Sequence, residues 1–235
     1  MIITEAWLTK GAAHGRTGQS MVPQGIVVHY VANPGSTAQA NRNWFENGAG
    51  GARTSAHYIV GLAGEVLQLV PDTERAMHAG KSYGTAWNQM APTNNARYIG
   101  IECCHPDATG KFNTKTMESL LTLLRRLCTV HKLDPARDIR RHYDVTGKNC
   151  PAYYVKYPDA WQALVDACKQ APAGVTVNLN GTPRTINARI EADRLYITLA
   201  ELAALIPGDV PLRAVCEAAG CQVTFKDGLV HIKTA

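Results

Sequence analysis

The segment Gly25-Ile-Val-Val-His-Tyr30 constrains this chain most, because a β-branched run too short for a helix closes on a histidine. Such a run reads as a buried strand. His57-Tyr-Ile-Val60, Glu65-Val-Leu-Gln-Leu-Val70 and Tyr98-Ile-Gly-Ile-Glu-Cys103 carry the same mark, and the turn Gly61–Gly64 joins the first two as a hairpin. Helical periodicity appears elsewhere. Residues 38–47 carry Trp44 and Phe45 in one expected helix. Thr114–Leu133 repeats Met117, Leu120, Leu121, Leu124, Leu127 and Cys128 at three- and four-residue steps, with Asn113 or Thr114 as its cap. Asp159–Lys169 sets Trp161, Leu164, Val165 and Cys168 on one face. Residues 78–97 have no period and read as a long surface loop.

The pattern changes after Gln170-Ala-Pro-Ala-Gly174, a short Pro/Gly linker at 170–174. Val175–Asn180 alternates like a half-buried strand, and residues 198–206 and 211–219 read as short helices. Cys221–Phe225 and Leu229–Ile232 flank Asp227-Gly228, a strong hairpin signal. Residues 1–169 and 175–235 are therefore expected as separate units, the second a small α+β module.

Composition narrows the function. The net charge of +5 comes without an Arg/Lys stripe interleaved with aromatics, so no nucleic-acid partner is expected. No run approaches the ~18 apolar residues of a membrane span, and the first residues lack the pattern of a signal peptide. The expectation is synthesis in the cytoplasm, with no membrane partner. Seven cysteines stand at irregular spacings without a CxxC pair, unlike a disulfide framework.

A catalytic zinc takes three His, Cys or carboxylate ligands and leaves a fourth position open. His29 at a strand end, His142 after a strand-like segment and Cys150 eight residues later offer such a set. Taken alone, a histidine such as His142 is more often a surface or core residue, and a thiol such as Cys150 is more often inert.

The surrounding residues add more. Arg141-His-Tyr-Asp-Val-Thr-Gly-Lys-Asn-Cys-Pro151 resembles the closing motif of type 2 N-acetylmuramoyl-L-alanine amidases, the family of amidase-type phage endolysins and Bacillus prophage amidases, related to the peptidoglycan recognition proteins. Ile26-Val-Val-His29, Ser55-Ala-His-Tyr-Ile-Val60, Ala76-Met-His-Ala-Gly80 and Ile99-Gly-Ile-Glu102 match in order, over roughly residues 20–168. The resemblance implies an α/β fold with a mixed central sheet flanked by helices, and a zinc amidase domain at 1–169. It also implies one Zn2+ held by His29, His142 and Cys150, with Glu102 and Lys148 as catalytic residues. His57, His78 and Asn95 are expected to contact substrate. Two positions depart from relatives: Met77 replaces a tryptophan, and Ala56 stands where amidase-type phage lysozymes place a catalytic tyrosine, which leaves the acid-base role to Glu102.

The reaction implied is hydrolysis of the amide between N-acetylmuramic acid and L-alanine in peptidoglycan, by an endolysin or autolysin that reaches the wall after holin-type release. The alternatives are a non-catalytic peptidoglycan-binding protein and a cytoplasmic muropeptide-recycling amidase. Residues 175–235 resemble the small domain found at copper amine oxidase N-termini. They are expected to bind wall polymer or to form a homodimer.

Overall fold

In the computed structural model the run Gly25–Tyr30 forms a strand, β3, with neighbours on both sides. The structure describes residues 2–80 and 94–169, and beyond them the strand residues 175–179, 182–186, 188–191, 194–198, 221–226 and 229–234. The chain divides into two compact units, Met1–Lys169 and Gln170–Ala235.

In the first unit six strands lie in the order β1 (Ile3–Glu5), β5 (Val66–Gln68), β4 (Tyr58–Val60), β7 (Tyr98–Cys103), β3 (Gly25–Tyr30) and β8 (Ile139–Arg141). The expected hairpin is β4–β5, antiparallel with Tyr58 opposite Gln68. The remaining neighbours run parallel, which makes the sheet mixed. A two-stranded ribbon pairs β2 (Arg16–Ser20) with β6 (Glu74–Ala76).

Alternation along each strand sends successive side chains to opposite faces. On one face Ile26, Val28, Ile99, Ile101 and Val60 pack against two helices, α2 (Thr114–His131) and α6 (Pro158–Lys169). On the other, Ile59 and Leu67 meet Ala38 and Phe45 of α1 (Ala38–Glu46). β3 and β7 pair with His29 opposite Glu102, so those two side chains rise from the same face as Ile59 and away from α2. Cys103 and Cys104 follow Glu102 in the chain. Both are 0% exposed, Cys103 on the α2 side and Cys104 on the α1 side, because both faces are covered.

α2 starts where Asn113 accepts a hydrogen bond from the Thr116 N–H at 2.8 Å, and it ends at Lys132 with φ of 55°. Its buried stripe is Thr116, Leu120, Leu123, Leu124, Leu127 and Cys128, while Met117 and Leu121 are only partly buried. Thr116 tolerates burial because its hydroxyl donates to the Gly61 carbonyl at 2.9 Å. Leu124 is fully buried at the middle of this stripe. Leu124→Ala is expected to destabilise the protein by roughly 2–5 kcal/mol, read as a lowered urea midpoint at unchanged slope.

The second unit contains an antiparallel pair, β9 (Val175–Leu179) with β10 (Thr182–Ile186). It also contains a four-stranded sheet in the order β11 (Ala188–Glu191), β12 (Arg194–Thr198), β14 (Leu229–Thr234), β13 (Cys221–Lys226). Lys226 pairs with Leu229, which leaves Asp227-Gly228 as the two-residue connection. Strands β9 to β12 stand before the first expected helix, where a strand–strand–helix–helix–strand–strand order predicts two. The helices expected over 198–206 and 211–219 fall outside the described residues, apart from Thr198, which ends β12. Among the described residues no helix is long and apolar enough to cross a membrane.

Candidate metal centre

Three elements converge on one buried point. β3 delivers His29, which is 2% exposed. β8 ends at Arg141, and the short helix α4 (His142–Thr146) begins on the next residue. Asp144 accepts from the Arg141 N–H at 2.8 Å and from its guanidinium at 2.6 Å, closing the first turn on itself. Arg141 also donates to the Tyr154 carbonyl at 2.9 Å, which ties α4 to α5 (Ala152–Lys156). This brace fixes the direction in which His142 points. Gly147, at φ of 77°, then turns the chain so that Cys150 comes back beside α4, its carbonyl accepting from the Tyr143 N–H at 2.9 Å.

The donor atoms of His29, His142 and Cys150 all lie within 4.8 Å of one another, and all three residues are buried. Cys150 Sγ is 3.8 Å from His29 Nδ1. Zinc bonds of about 2.0–2.3 Å in a tetrahedron set neighbouring donors roughly 3.3–3.8 Å apart, so this spacing suits such an ion. A second observation supports the fit. Both ring nitrogens of His142 are sealed from solvent without a hydrogen-bond partner, a cost that a coordinated cation would remove. Burial holds His29 well below the ordinary histidine range, helped by His142, His78 and Lys148, and it brings His142 down to about 3. Neutral rings are the form that binds a metal. Burial pushes the Cys150 thiol up, and the Tyr30 backbone N–H and the Lys148 ammonium oppose it.

Glu102 stands beside this cluster, across the β3–β7 ladder from His29. Its Oε2 is sealed from solvent and has no hydrogen-bond partner. Burial raises its pKa to about 8, with the Lys148 cation working against that rise. Lys148 is exposed at the rim, two residues before Cys150, and its charge reaches His29, His142, Glu102 and Cys150.

His57, His78 and Asn95, expected to contact substrate, are hydrogen-bonded within the protein. His57 is 0% exposed, with Nδ1 accepting from the Gly100 N–H at 2.9 Å and Nε2 on the Glu74 carbonyl at 2.9 Å. No ring nitrogen remains for a ligand. His78 spends Nε2 on the Tyr98 carbonyl at 2.9 Å and Nδ1 on His29 Nε2 at 3.0 Å. Asn95 accepts with Oδ1 from the N–H groups of His78 and Ala79, at 3.0 and 2.8 Å, and its Nδ2 donates to the Met77 sulfur. Asn94 braces the same segment through the Ala79 and Val145 carbonyls, at 3.1 and 3.2 Å. Their hydrogen bonds brace the wall of the site. Sequence reading missed this because the contacts join positions far apart in the chain. The other residues of the expected loop, 81–93, lie outside the described residues.

Burial lowers the His57 pKa from 6.5 to about 3, and the neighbouring His78 adds to the shift. The folded value lies below the unfolded one, so the stability contributed by the neutral ring is complete above pH 6.5 and is lost as pH falls towards 3. At pH 5 the loss from this group alone is about 2 kcal/mol. Urea unfolding at pH 7 and pH 5 should show wild type losing more than His57→Gln by about that amount.

Residues 19–153 match the N-acetylmuramoyl-L-alanine amidase family profile. The chain belongs to that family. The matched stretch contains His29, Glu102, His142, Lys148 and Cys150. The Bacillus subtilis N-acetylmuramoyl-L-alanine amidase BlyA is 36% identical over 160 residues, covering 65% of this chain and 42% of that protein. The Bacillus licheniformis amidase CwlL is 33% identical over 135 residues, covering 56% of this chain and 37% of that protein. The chain thus spans about two fifths of the length of these curated relatives. Among solved structures, the catalytic domain of XlyA superposes with a TM-score of 0.57 at 29% identity, covering 70% of this chain and 99% of that one. PlyL shares the fold with a TM-score of 0.60 at 21% identity, covering 73% of this chain and 99% of that one. The amidase-family fold is therefore the mixed sheet of the first unit.

Proposed function

We propose that this chain hydrolyses the amide between N-acetylmuramic acid and L-alanine of peptidoglycan, with one zinc ion held by His29, His142 and Cys150. The observation that carries the reading is the buried convergence of two imidazoles and a thiol next to a carboxyl with an unpartnered oxygen. Bound there, zinc would polarise the scissile carbonyl and bring the pKa of water from about 15.7 towards ~7.

The residues of the chain supply the rest. In the metal-free chain burial holds the Glu102 pKa at about 8, so the carboxyl is mostly protonated at neutral pH, and a cation bound beside it would favour the carboxylate that accepts a proton. Its Oε2 accepts the proton of the attacking water and returns it to the nitrogen of the departing L-alanine. The lactyl carbon gains the hydroxyl oxygen, the carbon–nitrogen bond breaks, and the products are a carboxylate and a free amine. The Lys148 ammonium at the rim offsets the negative charge that develops on the carbonyl oxygen. Elemental analysis of the purified chain should give one zinc per chain, reduced to a trace in His142→Ala.

The relatives' names support peptidoglycan as the substrate class, and the endolysin reading places its action at the wall after release from the cell. We read residues 175–235 as a tether to wall polymer that raises the local concentration of the first unit. Sedimentation velocity decides between this and a dimerisation module: a monomer fits the tether, a dimer the alternative.

A further inference from the structure

We propose that His78 is a positioning residue that fixes the tautomer of His29, presenting the His29 Nδ1 lone pair towards Cys150 and His142. The inference rests on the metal-centre reading and adds to it a residue outside the ligand set.

A neutral imidazole carries its hydrogen on one nitrogen and a lone pair on the other. The Tyr98 carbonyl can only accept, so His78 Nε2, at 2.9 Å from it, carries the hydrogen. His78 Nδ1 is then an acceptor. His29 Nε2 lies 3.0 Å away and must donate to it, which leaves His29 Nδ1 bare. That bare nitrogen is the atom 3.8 Å from Cys150 Sγ. A main-chain carbonyl of β7 thereby dictates, through two rings, which nitrogen of His29 faces the donor cluster. Outer partners of this type orient a ligand and raise its basicity.

The surroundings are built for the His78 ring. A Cβ on Gly100 would sit 2.6 Å from His78 Cγ and 2.8 Å from its Nδ1, so a side chain there would expel the ring. The N–H of the same Gly100 donates to His57 Nδ1, and the His57 and His78 rings meet edge to face at 5.8 Å. Asn95 holds the His78 backbone from the other side. Two motif positions, Gly100 in Ile99-Gly-Ile-Glu102 and His78 in Ala76-Met-His-Ala-Gly80, thus have one shared physical reason.

Two measurements test the proposal. The first is a two-bond proton–nitrogen correlation spectrum of the metal-free wild-type chain, with labelled histidine. His29 is expected to carry its hydrogen on Nε2; a hydrogen on Nδ1 overturns the proposal. The second is zinc affinity by chelator competition. His78→Ala is expected to bind zinc about 10- to 100-fold more weakly, with its circular dichroism unchanged. His78→Asn, which keeps an acceptor near the Nδ1 position, should recover most of that loss. Unchanged affinity in a folded His78→Ala chain overturns the proposal. Should His78→Ala fail to fold, the wild-type spectrum decides alone. Wild type that binds no zinc would sink the metal-centre reading instead, and the metal-free spectrum would still decide the role of His78.

Discussion

Cys150→Ala is expected to leave a folded chain with no bound zinc and amide hydrolysis lowered by at least about 1,000-fold, since a bound Lewis acid supplies several kcal/mol at the transition state. Cys150 is 2% exposed and its sulfur takes the Tyr30 backbone N–H, so the substitution removes a donor from a closed cluster and leaves the sheet intact. Measuring zinc content and turnover on the same preparation checks both halves. A Cys150→Ala chain that keeps full activity contradicts the assignment of this thiol.

Glu102→Gln separates the carboxyl from the metal. The amide has the same shape and cannot exchange a proton at neutral pH. Turnover should fall by about 100- to 10,000-fold, the usual worth of general acid-base help, with zinc content and KM little changed. The variant should also gain stability relative to wild type as pH rises from about 4.5 to 8, because over that range the unfolded chain releases the Glu102 proton while the folded chain, with its pKa at about 8, holds it. A Glu102→Gln chain with wild-type turnover would assign the proton transfer to another group.

Much of this was legible in the sequence, and the parts that were not share a physical cause. β3 and β7 showed themselves because strands covered on both faces need unbroken apolar runs, and α2 because one stripe of its surface packs on the sheet. The grouping of His29, His142 and Cys150 was suggested by five ordered motifs, not by spacing, since His29 and Cys150 are brought together only by the β3–β8 pairing and the turn at Gly147. β2 carries Arg16-Thr-Gly-Gln-Ser20 and gave no strand signal, because that ribbon is held by backbone pairing and by the Arg16–Glu74 ion pair at 2.9 Å. α4 is five residues long, and the Arg141–Asp144 brace fixes it more than any propensity. His57, His78 and Asn95 looked like groove residues since polar side chains in shared motifs suggest ligands. Only coordinates show that their hydrogen bonds are already spent on the backbone and on one another.

Cleavage of the lactyl–alanine amide by a metal cluster and Glu102 can be read on intact wall. Purified sacculi incubated with the protein, with and without a zinc chelator, test it most directly by counting newly freed L-alanine amino groups and new reducing sugar ends. Free amines are expected that the chelator abolishes and zinc restores, with no new reducing ends. Zinc-loaded protein that releases no amines from sacculi of several stem-peptide types would contradict that cleavage and make the chain a peptidoglycan-binding protein.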